Sequence, residues 1–214
     1  MAHHDERLRG IAKDYKRECM KIDRTYRKPS LPENARLAYE GKLFDVYEWD
    51  QKLYDGTTAV FEKIVRSDTV TIFPILDDGR IILIHDSQPH RETILTSPAG
   101  RVEPGETPEE AAPRELLEET GYASEKWEPF YTMTPIGKID WMVYSYIAKG
   151  AKKIQEPTPD PGEKIEVELV TFDELIDVVG RGDTYRDDFT QVVLHALADP
   201  KKMEELRKKF APVI

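Results

Sequence analysis

Gly100-Arg-Val-Glu-Pro-Gly-Glu106-Thr-Pro-Glu-Glu-Ala-Ala-Pro-Arg114-Glu115-Leu-Leu-Glu118-Glu119-Thr-Gly121-Tyr122 reads as a loop entering a helix. Thr107, with Glu110 three residues on, has the form of a capping box, and Pro108 falls at the first helical position, where no N–H is needed. Gly121 stands where a helix closes in the left-handed conformation. The helix is therefore expected over roughly Thr107 to Thr120. Along it Glu115, Glu118 and Glu119 fall at i, i+3 and i+4, which puts three carboxylates on one face, while Ala112, Leu116 and Leu117 point towards a core. Three adjacent carboxylates repel one another unless a cation sits among them. Oxygen ligands with no imidazole or thiolate suit Mg²⁺ or Mn²⁺. Arg114 has Glu118 one turn on and Glu106 in the loop within reach, so Glu106 reads as a brace rather than a ligand. Pro113 removes a helical hydrogen bond at a cost of roughly 3 kcal/mol in an ideal helix. It predicts a kink or an irregular first turn near Glu109–Pro113, with the carboxylate face beyond it intact.

Strands surround this segment. Upstream, Thr69-Val-Thr-Ile-Phe-Pro-Ile-Leu and Arg80-Ile-Ile-Leu-Ile-His85 flank Asp77-Asp78-Gly79, a hairpin signal. Their unbroken apolar runs imply strands covered on both faces. Pro74 points to an edge or a bulge for the first of them. From Leu37 to Val65 the pattern gives two antiparallel strands about Asp55-Gly56. Downstream, strands are expected near Trp127–Met133, Trp141–Ala148 and Lys164–Val170. A capped helix follows from Thr171, and one or two helices run from Arg186 to Phe210, broken near Asp199-Pro200. Apolar spacings of three and four over Asp5–Ile22 suit an amphipathic N-terminal helix. The fold class expected is α+β with a mixed sheet.

Composition narrows the function. The 214 residues carry 31 Lys plus Arg against 41 Asp plus Glu, a formal charge of −10, which argues against a nucleic-acid binder held by a basic face. It leaves open a phosphorylated ligand reached through a metal ion. The single cysteine, Cys19, excludes an internal disulfide framework. No apolar run approaches the ~18 residues of a membrane span, and the first residues show no hydrophobic signal region. A cytoplasmic protein with no membrane partner is the expectation.

The spacing Gly, five residues, Glu, seven residues, Arg-Glu, two residues, Glu-Glu, one residue, Gly, apolar is the Nudix box, with every fixed position present from Gly100 to Tyr122. Chance agreement in a chain of this length is on the order of 10⁻⁷ at average residue frequencies. The chain thus resembles the Nudix hydrolase family. The resemblance implies an α/β/α sandwich around a mixed sheet, here with added N-terminal strands and terminal helices. It implies hydrolysis of the pyrophosphate bond in a nucleoside diphosphate linked to another moiety. Glu115, Glu118 and Glu119, with the carbonyl of Ala99, would hold the divalent ions; Gly100, Glu106 and Gly121 would be structural, and Glu118 and Arg114 would belong to the catalytic set. The division expected is 1–35 N-terminal helix and linker, 36–66 N-terminal strands, 67–182 Nudix domain and 183–214 C-terminal helices.

Ser97-Pro98-Ala99-Gly100 is similar to the entry into the box of the ADP-ribose and nucleotide-sugar pyrophosphatases. The segment from Phe44 to Arg66 is similar to their N-terminal strands, which implies a homodimer, and Pro135 stands near a Pro found in those enzymes. In those enzymes a loop after the box supplies one more Glu to the metals or the water; here Asp160-Pro-Gly-Glu163-Lys-Ile-Glu166 matches, with Glu163 chosen for that metal-binding or catalytic role and Glu166 the alternative. Two departures concern substrate recognition: Thr96-Ser97 replaces an acid, and Gln88-Pro89-His90-Arg91 stands for a Gln-x-Arg element. Arg91, Lys138 and Trp49 are the candidate substrate-binding residues. Trp141, Tyr47 and Tyr131 are further rings that could stack a base, although core packing is the commoner use of such residues. The expected partner is a nucleotide sugar or ADP-ribose; the alternatives are a nucleoside triphosphate or a nucleotide that is sensed and not cleaved.

Overall fold

The computed structural model describes residues 25–182 and 187–212, save the side chains of 187 and 188. The N-terminal helix expected over Asp5–Ile22, with Cys19, lies outside the described residues.

The strands that position the site are β4 (Thr69–Ile75), β5 (Ile81–Gln88), β6 (Arg91–Thr96), β7 (Ala99–Arg101), β9 (Lys126–Met133), β11 (Val143–Lys149) and β13 (Lys164–Val170). They form a seven-stranded sheet in the order β13-β5-β4-β11-β9, with β6 added to β5 and β7 to β4. The sheet is mixed: β11 runs parallel to β4, Val143 opposite Thr69 and Lys149 opposite Ile75, while the other pairs are antiparallel.

Every residue of β4 is buried, as its continuous apolar run predicts, and its alternate side chains serve two cores. Val70 and Ile72 pack with Ala111, Ala112 and Leu116 of helix α1 (Pro108–Thr120). Phe73 and Ile75 face the other way, onto helices α2 (Phe172–Arg181), α3 (Asp187–Ala198) and α4 (Pro200–Lys209). There Phe73 meets Phe189, Phe210 and Phe130 at ring-centroid distances of 4.6, 5.5 and 5.7 Å. Each such ring contributes roughly 1.5–3 kcal/mol on burial. Among the described residues, one helix on one face and three on the other make the expected α/β/α sandwich. No helix among the described residues is long and apolar enough to cross a membrane.

Pro74 does not put β4 at an edge; the strand lies at the centre. Thr69 donates its N–H towards β11, to the carbonyl of Met142, and Ile72 donates in the opposite direction, to Pro98. Alternation therefore turns the nitrogen of Pro74 the way Ile72 points. On that side β4 is between partners: β7 ends opposite Thr71, and β5 pairs only at Ile75–Ile81. A proline there removes a donor that no strand among the described residues awaits.

The first strands also differ from expectation, being three rather than two: β1 (Arg36–Glu40), β2 (Phe44–Lys52) and β3 (Thr58–Arg66). With the two-residue β10 (Ile139–Asp140), parallel to β3, they make a second sheet in the order β1-β2-β3-β10. Arg27 ties it to the main one. Its guanidinium reaches buried Asp68 (2.6 Å), at the end of the β3–β4 link, and buried Asp140 (2.8 Å). Asp68 also accepts from Tyr26 and from the N–H of Met142.

Candidate active site

The helix carrying the carboxylates forms for local reasons. The Thr107 hydroxyl accepts from the N–H of Glu110, and the Glu110 carboxylate accepts in return from the N–H of Thr107 at 2.9 Å. The first turn closes normally, with Ala111 donating to the carbonyl of Thr107, and the helix runs unbroken through Pro113. The irregular first turn expected from Pro113 is not found: the capping box satisfies the turn's free donors and holds it in place.

Two glycines permit contacts that a side chain would block. Gly121 has φ +74°, and a Cβ there would lie 2.1 Å from the carbonyl oxygen of Gln155. The carbonyl of Gly121 accepts from Ile154 and Gln155, and that of Glu118 from Thr158 at 2.7 Å. The end of α1 thereby docks the segment that leads to Asp160 and Glu163. At Gly100 a Cβ would fall 1.9–2.2 Å from the three atoms of the Glu115 carboxylate, so glycine is what admits that group against β7.

Arg114 organises the acids. Its Nε and Nη2 bind both oxygens of Glu106 at 2.9 Å, and Nη1 donates to Glu115 (2.8 Å) and Glu118 (3.0 Å). Nη2 also reaches the carbonyl of Arg101 at 2.9 Å. Glu106 thus has the bracing contacts expected of it. Glu119, 6% exposed, accepts from the N–H of Ala99 at 2.8 Å. As they stand, no three His, Cys, Asp or Glu side chains among the described residues are gathered into a ready metal cage. Arg114 and the Ala99 amide are what the carboxylates hold instead.

Glu115, Glu118, Glu119, Ala99 and Gly100 line a cleft of about 350 Å³ together with Asp86, Gln88, Arg91, Asp160 and Glu163. Burial pushes the Glu115 carboxyl up to about 7 against the pull of Arg114, with Glu118 and Glu106 adding to the rise. Glu163 is also raised, by burial and then by Asp86 and Asp160. Gln88 donates to Glu163 at 3.3 Å. A site whose acids crowd one another is relieved by a multivalent cation, and its donors are all hard oxygens. The residues therefore fit a hard divalent metal.

The loop alternatives separate in space: Glu166 is exposed and paired with Lys164 at 2.7 Å, whereas Glu163 faces the cleft. Of the candidate substrate-binding residues, Arg91 lines the cleft and is ion-paired with Asp86. Lys138 lies over the Phe61 ring in a separate groove on the N-terminal sheet, and Trp49 packs on Phe61 and donates to Gln51. Neither lines the cleft within this chain. Buried Thr96 and Ser97, already noted as a departure from the resembling enzymes, do line it. The sequence reading did not single out Arg66, Thr69, Asp86 or Arg101, all of which line it. Arg101 was open to notice, being the residue after the first glycine of the box.

A family model described as NUDIX domain matches residues 65–193. The ADP-ribose pyrophosphatase of Bacillus subtilis (strain 168) is 33% identical over 152 residues, 69% of this chain and 81% of that protein. The ADP-sugar pyrophosphatase of Mus musculus is 34% identical over 164 residues, 68% of this chain and 75% of that protein. In structure, an ADP compounds hydrolase superposes with a TM-score of 0.67 at 20% identity, over 89% of this chain and all of the other, a likeness of fold. The chain belongs to the NUDIX family and is a Nudix hydrolase.

Proposed function

We propose that the protein is a magnesium-dependent pyrophosphatase that hydrolyses nucleoside diphosphates linked to a further moiety, of the ADP-ribose or nucleotide-sugar type. It would release a nucleoside monophosphate and the phosphorylated moiety. The observation that carries this reading is that Glu115, Glu118, Glu119 and Glu163 all line one cleft. The activities by which the Bacillus subtilis and mouse relatives are known supply the substrate class. Glu115, Glu118 and Glu119, with the Ala99 carbonyl, would hold Mg²⁺ or Mn²⁺. When bound, the metal neutralises phosphate charge and lowers the pKa of water. Glu163, its proton affinity raised, is suited to orient a water and accept its proton, and Gln88 fixes one of its oxygens. Arg114 holds Glu115 and Glu118 in place while Glu106 holds Arg114.

The N-terminal sheet supports a homodimer, because Leu37, Tyr39, Leu43, Phe44 and Val60 are exposed on or beside it. Light scattering on the purified chain gives a dimer mass if these residues are covered by a second copy.

A panel of nucleoside diphosphate conjugates with Mg²⁺, read by phosphate release after phosphatase coupling, tests the activity. Hydrolysis of sugar-type conjugates is expected, with Glu118→Gln reducing turnover at least 100-fold and leaving the fold intact. Pyrophosphate release from triphosphates alone, or unchanged turnover in the variant, overturns the reading.

A further inference from the structure

Among the described residues seven acidic side chains and four arginines line the cleft, so an incoming diphosphate meets net negative charge from them. Its phosphoryl oxygens need cations that are not already engaged. Arg114 is occupied by Glu106, Glu115 and Glu118, and Arg91 by Asp86. The Arg66 guanidinium lies 4.5 Å from the ring centroid of Trp141 and 5.6 Å from that of Phe44, and its Nε donates to the carbonyl of Ser67.

Arg101 differs from these three. Its backbone is held by the β4–β7 ladder opposite Thr69, and its carbonyl accepts from Arg114 at 2.9 Å. Among the described residues its guanidinium makes no hydrogen bond or ion pair. Its charge is nonetheless felt by Glu163, whose proton affinity it lowers against the larger effect of burial. Opposite it, Thr69 is buried and its hydroxyl oxygen accepts from Trp141 Nε1 at 3.0 Å, which leaves the hydroxyl hydrogen to donate. A planar guanidinium on a fixed strand, beside a hydroxyl donor, is suited to two phosphoryl oxygens at once.

We propose that Arg101 is a substrate-binding residue: it takes phosphoryl oxygens of the substrate diphosphate, assisted by the Thr69 hydroxyl opposite it on β4. This rests on reading the cleft as a diphosphate site. Its sequence position, one residue after Gly100, means that the same short strand admits the Glu115 carboxylate and carries the cation for the substrate.

The test uses the full chain and methylenediphosphonate, which cannot be hydrolysed, titrated calorimetrically in Mg²⁺. Arg101→Ala is expected to weaken binding roughly 10–100-fold, the range for a hydrogen-bonded charge. Arg101→Lys is expected to recover part of the loss, since it keeps the charge without the fork. Mn²⁺ affinity without the diphosphonate should not fall, whereas a structural role for Arg101 in holding the carboxylates would lower it. Equal diphosphonate binding by wild type and Arg101→Ala, or no binding by wild type, overturns the proposal. If Arg101→Ala binds weakly but the wild type cleaves no conjugate, the pyrophosphatase reading falls and the phosphate site stands. Conjugate hydrolysis with unchanged kcat/KM in Arg101→Ala removes only the role of Arg101.

Discussion

Replacing Gly100 by alanine separates the carboxylate site from the fold. The new methyl carbon would sit 1.9–2.2 Å from the Glu115 carboxylate, whereas comfortable contacts between heavy atoms lie near ~3.5 Å. The far end of a flexible side chain must therefore swing away by more than about 1 Å, while the backbone of β7 has no need to move. The swing breaks the hydrogen bond from Arg114 Nη1, of a kind worth about 1.5–3 kcal/mol between charged groups. It also returns to water a carboxyl that burial holds at about 7, which offsets part of that loss. The net destabilisation expected is about 1 kcal/mol, or roughly 2–4 °C in Tm for a chain of this size. Losing one of three carboxylates should weaken Mn²⁺ binding at least 10–100-fold, the range seen even when only supporting groups are removed. Calorimetric Mn²⁺ titrations of Gly100→Ala, Glu115→Gln and the double variant check this. The double variant should bind no more weakly than Glu115→Gln alone, because both changes remove one ligand. A folded Gly100→Ala protein with Mn²⁺ affinity within twofold of wild type would refute the reasoning.

Two further substitutions address the supports of the cleft. Gly121→Ala combines a left-handed backbone angle with a Cβ 2.1 Å from the Gln155 carbonyl, so urea unfolding should show a loss of about 3 kcal/mol. Turnover should fall too, because the displaced segment leads to Glu163; a loss below ~1 kcal/mol is inconsistent with the docking described. Arg27→Ala leaves buried Asp68 and Asp140 without their shared cation and should cost about 3 kcal/mol, measured by the same denaturation. Arg27→Lys should not restore the loss, since a single ammonium cannot reproduce the fork to two carboxylates. Full restoration would show that charge alone matters there.

What was legible in the sequence follows interaction range. The capping box of Thr107 and Glu110, the closure at Gly121 and the shared face of Glu115, Glu118 and Glu119 depend on neighbours within one or two turns. The hairpin at Asp78-Gly79 and the last helices, divided at Asp199, are equally local. Strands β7, β8 (Tyr122–Ala123), β10 and β12 (Lys152–Lys153) have two or three residues each, too few for any periodicity to show. Pro74 misled because the edge rule counts donors along a strand; whether a partner waits for the missing donor depends on where β5 and β7 stop.

Residues 100–122 alone put three carboxylates on one helix face, because that spacing follows from the 3.6-residue turn whatever surrounds it, and their resemblance to the Nudix box implied the class of chemistry. Only the folded chain decided which cations meet the substrate. Lys138 and Trp49 went to the N-terminal sheet, Arg91 to Asp86, and Arg101 to the cleft wall opposite Thr69. Those outcomes depend on strand order and register, which bring together residues dozens of positions apart. No local pattern encodes them, since each is set by the burial of the β4 core between its two layers of helices.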